Sequence, residues 1–487
     1  MKKGEGVYNV VVIGGGTAGL VTAAGTAGLG GRVALIERNL MGGDCLNFGC
    51  VPSKALISSA RLIQQIRDAE KWGLERQEPQ FVFEKVFERM RARRAKIAPR
   101  DSRERFESLG VDVFQGEARF VSSQEVDVNG QRLRARNFVI ATGSRAAVPN
   151  IKGIESVSYF TNETIFDALR RQPTTMIVLG GGPIGCELAQ TFQRFGVEVT
   201  IVQRGDQLLP REDRDVAEFI ERRLISEGVR IVKNADAHSV AISDTGKVAL
   251  QLLDRQSGRL AEPTFFADVL LVAAGRTPNL RSLNLESVGI DATERGVRVN
   301  DYLQTSQPHI YAVGDVIGPF LFTHMADGQA RVVVRNILMP FQFLRHKMDY
   351  SVVPWCINVD PEVAHVGLGE KEANGQNLDY DLFIVPLEDV DRAVVESQEG
   401  GFAKVLTRKG SDRILGATIV APHAGDLLHE FVLAMKAGIG LATIASTIHA
   451  YPTFAELARK AGDKYNKTRL TPRAKKIFTW LYERARR

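Results

Sequence analysis

The first part of the chain alternates short apolar runs with longer amphipathic stretches, which predicts strands joined by helices. Residues 7–13 are mostly apolar and predict a buried strand, and an alanine-rich helix is expected from the glycines that follow to about residue 29. A second strand is expected over 32–36. This order of strand, helix and strand is typical of a parallel α/β unit.

The turn between the first strand and the helix carries Gly14, Gly16 and Gly19, and the second strand ends in Glu37. Tight glycines let a helix N-terminus meet a pyrophosphate, and a carboxylate 23 residues after Gly14 can accept a hydrogen bond from a ribose hydroxyl. Because strands and a helix flank the glycines, the pattern predicts a dinucleotide-binding fold.

The same unit occurs a second time. A strand over 175–179 is followed by a glycine turn, a helix over 186–195 and a strand over 197–202. Gln203 stands 23 residues after Gly180, the offset that separates Glu37 from Gly14. Two dinucleotide units in one chain indicate two cofactors, and the second turn is formed by Gly180, Gly182 and Gly185.

Other segments complete the predicted organisation. Residues 81–106 form a charged helical region with apolar positions on one face, and we interpret its arginines as a solvated surface. Three apolar strands end in small-residue turns at 139–144, 270–278 and 310–315, and Asp315 can offer a carboxylate to a sugar or ribitol chain. From about residue 351, strands and helices without glycine fingerprints predict a separate α+β domain.

Composition and charge narrow the class of protein. A chain of 487 residues is expected to form about three domains, and 44% hydrophobic with 25% charged residues is typical of a soluble globular protein. Four cysteines and no signal peptide or membrane span indicate a reducing, cytoplasmic setting. The net charge is +6, but residues 471–487 account for +5 of it, which argues against a body that binds nucleic acid.

Two of the four cysteines, Cys45 and Cys50, lie just before a helix predicted over 54–70. Unpaired N–H groups at a helix start favour a thiolate, so one sulfur can be electron-rich and the other an attacking one. Glycines such as Gly43 let the backbone approach a flat ligand. Two core cysteines or a structural disulfide are the alternatives. The spacing does not match a C-x-x-C pair, and no second half of a zinc site is present.

With these motifs in this order, the chain resembles the flavoprotein disulfide oxidoreductases, the family of dihydrolipoyl dehydrogenase, glutathione reductase and mercuric reductase, over roughly residues 7–456. The resemblance implies an α/β fold with two Rossmann-like domains. FAD is expected on residues 1–155 and 285–350, and NAD or NADP on 156–284. Residues 351–470 would form an α+β dimerisation domain, and 471–487 a basic amphipathic tail.

The resemblance also implies roles for single residues. Cys45 would attack the substrate and Cys50 would contact the flavin, with Lys54 near the ring and Glu187 as its ion-pair partner. Electrons would pass from the nicotinamide through the flavin and the Cys45–Cys50 disulfide to an outside acceptor, or in reverse. The matching FAD positions are Gly14, Gly16, Gly19, Glu37, Gly43, Lys54, Ala118, Thr142, Gly143, Gly314, Asp315, Thr323 and His324. The matching nicotinamide positions are Gly180, Gly182, Gly185, Gln203, Arg204, Gly275 and Arg276.

The chain departs from the family at two places. Asp44 stands where threonine is common, and its carboxylate should disfavour the Cys45 thiolate. Tyr451 occupies the place of the catalytic histidine that precedes Pro-Thr and, further on, Glu456. A phenol, with a pKa near ~10, would cost on the order of 5 kcal/mol as a base at neutral pH. Tyr451 is therefore interpreted as a hydrogen-bond donor or a wall of the site. His449 is either a replacement base or a satisfied structural histidine.

Tyrosine at this place is reminiscent of mercuric reductase, which uses a C-terminal cysteine pair, whereas this sequence has no cysteine after Cys356. Since soft mercury needs thiolate pairs and only Cys45 and Cys50 are offered, mercury reduction is the alternative rather than the main hypothesis. We expect Cys186 and Cys356 to be buried, non-catalytic thiols. The choice between NAD and NADP stays open. Gln203 lacks the charge that an NAD site prefers but can still bond a hydroxyl, Arg204 can meet a 2′-phosphate, and Gly185 and Pro210 resemble NAD enzymes.

The sequence thus predicts a homodimeric FAD- and NAD(P)-dependent dithiol/disulfide oxidoreductase, similar to dihydrolipoyl dehydrogenase, acting on a lipoyl group, a small disulfide or a quinone-like acceptor. A redox-weakened relative that docks lipoyl or membrane partners is a further alternative. In the tail, Phe478, Leu481, Tyr482 and Ala485 recur at helical spacing among arginines. Packing on the interface domain is the default for this segment, and an anionic membrane or a partner protein are the alternatives.

Overall fold

The computed structural model describes residues 3–339 and 341–486. Met1, Lys2 and Pro340, which belong to the predicted FAD domain, and Arg487 of the tail lie outside the described residues. The chain divides into two compact units. The first unit comprises residues up to 60, 80–204 and 229–349, and the second comprises 61–79, 205–228 and the residues from 350 onward.

The first unit is built around a sheet whose central strands are parallel, as the apolar runs predict. Val7–Ile13 pairs on one side with Val33–Glu37 and on the other with Gln131–Ile140, and the helix Thr17–Gly28 connects the first two strands. The sheet is completed by Val111–Gln115, Ala118–Ser122, Glu125–Val128 and Ile310–Ala312. The carboxyl ends of the parallel strands therefore carry the first glycine turn and the turn at Gly314.

The second dinucleotide unit lies in the same compact body. Thr175–Leu179 is the strand before the second glycine turn, the helix Pro183–Arg194 follows, and Glu198–Val202 pairs parallel to the first strand. The sheet is completed by Arg230–Val232 and Val269–Val272, and an antiparallel sheet is formed by Ala235–Ile242, Val248–Asp254 and Leu260–Ala267. The predicted repetition of strand, glycine turn, helix and strand is confirmed.

Two predicted helices differ from the observed ones. The helix after the cysteines runs over Cys50–Arg67, four residues earlier than expected, and a short helix covers Gly43–Asn47. Pro52 is tolerated because the first N–H groups of a helix have no intrahelical partner. The charged region is broken into Phe83–Ile97, a 3₁₀ turn over Ala98–Asp101 and Arg103–Ser108. Ser102 caps the last of these by accepting the Arg105 N–H (3.3 Å).

Further short elements complete the first unit. The helix Thr323–Leu338 begins directly after Phe322 and carries Gln329 on its inner face. The remaining elements are the strands Ser144–Ala146, Arg276–Pro278, Ala292–Thr293 and Gly296–Val297 with the helix Ile165–Ala168 and the 3₁₀ turns Ile154–Ser156, Glu286–Val288, Gly314–Ile317 and Gln342–Leu344.

The second unit has an antiparallel sheet covered by helices, which confirms the predicted α+β character. The strand order is Pro354–Ile357, Glu362–Gly367, Ile414–Ala421, Phe402–Arg408 and Tyr380–Pro386. The helices are Arg214–Ser226, Glu370–Gly375, Asp391–Val395, Ala424–Leu427, His429–Ala437, Leu441–Ser446, Glu456–Thr468 and Pro472–Ala485, with 3₁₀ turns at Ala69–Trp72 and Leu387–Asp389. Phe431, Leu441 and Leu457 join the sheet in one apolar core. Among the described residues, every helix is too short or too polar to cross a bilayer.

Candidate functional site: a cysteine pair between two glycine turns

Fingerprint glycines in both turns are required by the packing of the chain itself. A Cβ on Gly19 would lie 1.8 Å from the Gly14 carbonyl oxygen, and one on Gly14 would lie 2.3 Å from the carbonyl of Ala141. The second turn repeats this geometry, since a Cβ on Gly185 would lie 1.9 Å from the carbonyl oxygen of Gly180. Both turns are therefore held tightly against the helix that follows them.

The middle glycines have a different reason. A Cβ on Gly182 would meet no described atom within 4 Å, and one on Gly16 would meet only the Cα of Gly43, at 3.7 Å. Each of these glycines caps the N-terminus of a helix, where backbone N–H groups have no intrahelical partner. Glycine here leaves room for a ligand to approach the backbone, so the residues present fit the pyrophosphate of a dinucleotide at both turns.

Glu37 and Gln203 make the same contact in their respective units. Gly15 donates its N–H to Glu37 Oε2 (2.6 Å), and Gly181 donates its N–H to Gln203 Oε1 (2.9 Å). Glu37 also accepts the N–H of Asn39 through Oε1 (2.7 Å). The shared sequence offset thus corresponds to a shared anchoring contact, which the sequence analysis did not include. Glu37 is a carboxylate and Gln203 an amide, so only the first anchor can carry a charge.

The predicted nicotinamide residues do not all lie together. Arg204 is exposed and forms an ion pair with Asp236 (3.1 Å). Arg276 is directed at the cysteine segment, where its guanidinium lies 3.2 Å from Asp44 and 3.6 Å from Asp315. Its Nε donates to the hydroxyl of Ser144 (2.7 Å). Arg276 thus links the cysteine segment to a predicted flavin position, while Gly275 before it adopts a positive φ of 130°.

The turn residues predicted to contact FAD are held by hydrogen bonds. Ser144 donates its hydroxyl to Asp315 (2.6 Å), and burial raises the pKa of Asp315 against the lowering effects of Ser144 and Arg276. Gly314 donates its N–H to the side chain of Gln329 (2.7 Å), and Thr142 donates its hydroxyl to the carbonyl of Asn279 (2.8 Å). Gly143 has a φ of 66° and open space around its Cα.

The cysteine pair is in its dithiol form, with Cys45 in the short helix and Cys50 at the start of the longer one. Asn47 holds the intervening loop, because its amide donates to the carbonyls of Met41 (3.0 Å) and Gly43 (2.9 Å). Cys45 is half-buried and Cys50 exposed, and the Cys50 sulfur lies 3.7 Å from the Thr323 hydroxyl at the start of another helix. The predicted placement of a thiol at a helix start is confirmed for Cys50.

The two thiols have opposite pKa shifts. The hydrogen bond between them raises the pKa of Cys45, as does burial, and the same bond together with the Lys54 ammonium lowers the pKa of Cys50 to about 6. The Cys45 thiol therefore donates to a Cys50 thiolate. Asp44 also raises the pKa of Cys45, which confirms the predicted sign, but its effect ranks behind the Cys50 hydrogen bond.

The predicted ion pair beside the thiols is confirmed. The Lys54 ammonium lies 2.8 Å from the carboxylate of Glu187, whose side chain is only 6% exposed. Lys54 is on the helix that begins at Cys50, and Glu187 is on the helix after the second glycine turn. The pair joins the two dinucleotide units at the sulfurs and keeps a positive charge next to the Cys50 thiolate.

The interpretation of the charged helix as a purely solvated surface is wrong for Arg94. Its guanidinium donates to the carbonyl of Asn47 (3.0 Å) and forms a bidentate pair with Asp167 (2.7 and 2.8 Å). Arg94 thus holds the loop between the cysteines in place. The buried face of the same helix is formed by Phe83, Phe87 and Met90, as predicted.

Two further predicted flavin positions have different surroundings. Ala118 is 3% exposed and belongs to the apolar core of the first sheet, together with Phe120. His324 lies in the first turn of the helix Thr323–Leu338, with its ring stacked on Phe322 (5.3 Å between centroids, 9° between planes). Ala118 can therefore offer a ligand only its backbone, whereas His324 presents an aromatic ring.

The predicted acid–base residues belong to the second unit. Tyr451 is exposed and donates its hydroxyl to Asp391 (2.9 Å), which raises the pKa of the phenol. Both ring nitrogens of His449 have partners, Nδ1 the Thr447 carbonyl and Nε2 the Glu430 carboxylate, each at 2.9 Å. This geometry matches the structural alternative for His449.

Glu456 is 5% exposed and accepts from Arg459 through Oε1 (2.9 Å). Its other oxygen, Oε2, has no hydrogen-bond partner among the described residues. A buried carboxylate oxygen without a partner is costly, so the site retains an acceptor that Tyr451 does not use. Glu456 Oε2 is thus an unused acceptor, close enough to Tyr451 for its charge to raise the pKa of the phenol.

The other two cysteines, and a cluster of three carboxylates, lie in surroundings that indicate no catalytic role. Cys186 is buried and its thiol donates to the Gly181 carbonyl (3.4 Å), as expected, but the prediction that Cys356 is buried is wrong, because it is half-buried. Among the described residues, one carboxylate group of Asp213, Asp215 and Glu370 has the spacing of a metal site. The buried Lys404 ammonium bonds to all three, so a cation already occupies the centre of the group and offsets one of its three negative charges.

Several site residues were missed in the sequence analysis because no local pattern marks them. Arg94, Asn47 and Asp167 hold the cysteine loop, while Glu430 and Asp391 engage His449 and Tyr451. Their partners are far away in the sequence, and an arginine on a charged helix or a glutamate in a helix is common in any protein. The glycines, the cysteines, Lys54 and the paired positions Glu37 and Gln203 did carry a readable signal, because they stand in fixed patterns.

Two glycine turns, an ion pair and a hydrogen-bonded thiol pair define a class of oxidoreductase that couples two dinucleotides to sulfur chemistry. Residues 8–331 match the family model "Pyridine nucleotide-disulphide oxidoreductase", and residues 353–461 match its dimerisation domain. The chain therefore belongs to the pyridine nucleotide-disulphide oxidoreductase family. Members of this family use FAD and NAD(P)H.

Relatives and solved structures agree with this placement. The chain is 33% identical to a mercuric reductase of Lysinibacillus sphaericus over 465 residues, which covers 95% of this chain and 83% of the relative. It is 33% identical to a dihydrolipoyl dehydrogenase of Chlamydia pneumoniae, with 92% and 95% covered. It is similar to a Cu(II) complex of the HOCl-induced flavoprotein disulfide reductase RclA from Escherichia coli, at a TM-score of 0.83 and 27% identity, with 94% and 99% covered.

Proposed function

We propose that this chain is an FAD-dependent, NAD(P)-linked dithiol/disulfide oxidoreductase in which Cys45 and Cys50 form the redox pair. The observation that carries the proposal is the geometry of the cysteine pair, with Cys45 in the short helix, Cys50 at the start of the helix Cys50–Arg67, and the Lys54–Glu187 ion pair on the next turn. Both glycine turns fit a dinucleotide, and bound FAD would supply two-electron transfer between the nicotinamide and the cysteine pair. The dimerisation domain over residues 353–461 supports a homodimer.

The proposed thiol–disulfide exchange depends on the proton that Cys45 and Cys50 share through their hydrogen bond. Cys45 loses its proton along the hydrogen bond to Cys50 and attacks one sulfur of a substrate disulfide, which releases the first thiolate. Cys50, once its proton has passed to solvent, attacks the Cys45 sulfur, releases the second substrate thiol and closes the Cys45–Cys50 disulfide. The pair, one thiol and one thiolate, gives up two electrons and one proton, and the substrate gains both electrons, while solvent supplies the second proton that makes two product thiols. The reverse sequence oxidises a dithiol substrate.

Neither Tyr451 nor His449 suits the acid–base role that a dihydrolipoyl dehydrogenase activity needs. Tyr451 is bonded to Asp391, and His449 is occupied at both ring nitrogens. Dihydrolipoamide must lose a proton before its thiolate can attack the Cys45–Cys50 disulfide, and a phenol with a raised pKa is a poor base for that step. We therefore place the reduction of small disulfides, in which thiolates leave without a base, before the oxidation of dihydrolipoamide.

The second candidate is reduction of a soft metal ion, which the phenol at position 451 favours because metal release from thiolates needs no general acid. Two relatives point the same way, since one is a mercuric reductase and another is a Cu(II) complex of a flavoprotein disulfide reductase. Mercuric or cupric ion would be substrate, held by the Cys45 and Cys50 sulfurs.

Cys45→Ser tests the proposal. We expect the variant to lose turnover of disulfides while it keeps its flavin, because only the attacking sulfur is removed. Cys356→Ser is the matched control and should keep full turnover, since Cys356 is far from the pair in sequence and lies in the second unit. Disulfide turnover retained in Cys45→Ser would rule out the proposed role.

A substrate panel separates the two candidates. Lipoamide, dihydrolipoamide, glutathione disulfide, mercuric ion and cupric ion are assayed with NADH and with NADPH, with the metals in excess thiol. We expect NAD(P)H oxidation to respond to disulfides. A response to the metals alone would replace the first candidate by the second, and the comparison of the two nicotinamides gives the cofactor.

A further inference from the structure

The tail helix Pro472–Ala485 is the one long helix of the second unit without a buried residue among those described. Five large apolar side chains of this helix are exposed: Ile477 (58%), Phe478 (49%), Trp480 (54%), Leu481 (47%) and Tyr482 (70%). The default expectation that this segment packs on the interface domain is therefore wrong for the chain by itself. A concentrated exposed apolar face marks an interaction site.

The apolar and the charged side chains of the tail helix lie on different faces. Successive residues are about 100° apart, so positions 474, 477, 478, 481 and 485 form one apolar stripe. Trp480 and Tyr482 border the stripe on opposite sides, and Arg484 packs its guanidinium over the Trp480 ring (5.5 Å). Aromatic rings at the edge of an apolar face are typical of helices that lie at a membrane–water interface.

The charges follow the same arrangement. The described part of the tail carries five basic residues against one acid and has a net charge of +4, and the lone acid, Glu483, lies on the side opposite the apolar stripe. Arg473, Lys475 and Arg484 border the stripe, where they would reach lipid headgroups. Within the described part of the tail, no acidic side chain would therefore be brought near an anionic surface.

We propose that the tail helix binds the chain to an anionic lipid surface, with the apolar stripe at the acyl boundary and the basic residues on the headgroups. A second copy of the chain fits this face less well, because a symmetric contact would place two helices of net charge +4 against each other. The remaining chain, at about +1 by sequence, would contribute little to the attraction. The inference does not depend on the proposed redox activity.

Flotation of the full-length flavoprotein with vesicles tests the proposal. Vesicles of phosphatidylcholine are compared with vesicles that also contain phosphatidylglycerol. We expect at least about tenfold stronger partitioning to the anionic vesicles, and a loss of this preference when salt is raised from about 0.05 M to about 0.5 M. Equal partitioning to both kinds of vesicle, or none to either, would overturn the proposal.

Variants assign the binding to the tail. Arg473→Glu with Lys475→Glu should weaken anionic partitioning by at least about tenfold, since each basic residue near the surface contributes about fivefold. Phe478→Ala with Leu481→Ala should weaken it similarly. The control is Arg93→Glu with Lys96→Glu, the same charge change on exposed positions of the helix Phe83–Ile97, which should leave partitioning unchanged. Equal losses in test and control variants would contradict the assignment.

Two further readouts distinguish the lipid surface from other occupants. Anionic vesicles should shift the tryptophan emission of the protein to the blue, and Trp480→Phe should remove the shift, because Trp72 and Trp355 lie outside the tail helix. The variant with Phe478→Ala and Leu481→Ala is also measured by light scattering. We expect it to have the same oligomeric state as the unaltered protein. Dissociation to monomers would show that a second copy covers the stripe and would overturn the proposal.

Discussion

At the residue scale, Cys45 and Cys50 differ because one hydrogen bond and one ammonium act on them unequally. The proton is held by Cys45, whose pKa is raised, while Lys54 favours the negative charge on Cys50. Cys50 is also the first residue of a helix, where unpaired N–H groups favour an anion. The pair is therefore arranged with its proton on the half-buried sulfur and its charge on the exposed one.

Tyr451→His should raise dihydrolipoamide oxidation. Imidazole has a pKa near neutrality, and Glu456 Oε2, which is without a partner among the described residues, can orient a new ring N–H. We expect an increase of at least about tenfold in kcat at neutral pH, less than the roughly 100-fold or more that a well-placed general base contributes. The rate is measured with NAD or NADP as acceptor.

Tyr451→Phe is the control for this change, because it removes the hydroxyl bonded to Asp391 without adding a base. It should show no increase. If Tyr451→His remains dimeric and yet gains nothing over Tyr451→Phe, the tyrosine is not what limits this chemistry.

Residues with local signals could be predicted from the sequence, and residues that depend on distant partners could not. The glycines, the cysteines and Lys54 stand in fixed patterns whose chemistry is readable. Arg276 was assigned by motif to the nicotinamide, yet its guanidinium contacts Asp44 and Ser144, because the chain folds back to bring these segments together. No spacing in the sequence encodes that approach.

At the scale of elements, the cysteine segment and the first glycine turn are packed backbone to backbone. A Cβ on Gly43 would lie 2.5 Å from the Cα of Gly16, and Gly43 has a φ of 60°. Since neither backbone can yield without moving its element, the position tolerates only glycine. The sulfurs are thereby placed at a fixed distance from the turn that fits a pyrophosphate.

Gly43→Ala should push these two elements apart. We expect lower flavin content in the purified protein, judged from the ratio of flavin to protein absorbance, and a loss of about 1 to 3 kcal/mol in the free energy of unfolding. Gly28→Ala is the matched control, because a Cβ there meets nothing within 4 Å, and it should retain its flavin. Full flavin content in Gly43→Ala would show that the close approach is not needed.

Strands were easier to predict than helix boundaries. The apolar runs on either side of the two glycine turns predicted strand positions to within a residue or two, because buried strands need continuous apolar sequence. The start of the helix at Cys50 was placed four residues late, since its first turn is defined by the loop that Asn47 and Arg94 hold rather than by a local cap.

At the scale of the whole molecule, the second unit has ionisable side chains in its interior. Lys404 is fully buried among Asp213, Asp215 and Glu370, and Glu212 next to them is 3% exposed. Burial raises the pKa of Glu212 to about 7, and the hydrogen bond donated by Trp355 Nε1 (2.7 Å) opposes this only in part. The stability of this unit should therefore depend on pH in the neutral range.

The direction of this pH dependence follows from the pKa of Glu212 in the folded and in the unfolded chain. The unfolded chain releases its proton near the ordinary pKa of 4.5, whereas the folded chain keeps it up to about 7. Stability is therefore lost as the pH rises through this window, by about 3 kcal/mol at ~1.4 kcal/mol for each pH unit. Glu212→Gln cannot ionise and keeps an oxygen for Trp355, so the variant should gain stability relative to the unaltered protein at pH ~8 but not at pH ~5.

Unfolding followed at both pH values checks this expectation. Glu218→Gln, at a half-buried position on the helix Arg214–Ser226, is the control and should show the same small difference at either pH. A stability difference for Glu212→Gln that does not change with pH would mean that the carboxyl is already ionised in the folded protein.

The exposed tail helix has a consequence for an assembled pair of chains. Because the chain carries the family's dimerisation domain, a dimer would present two such helices on one particle. Once the first helix is bound, the second meets the same surface at an effective concentration in the millimolar range, so two individually weak contacts combine through avidity. Membrane residence would then rise steeply with dimerisation, and a monomeric variant would leave the surface far faster than the loss of half the contacts suggests.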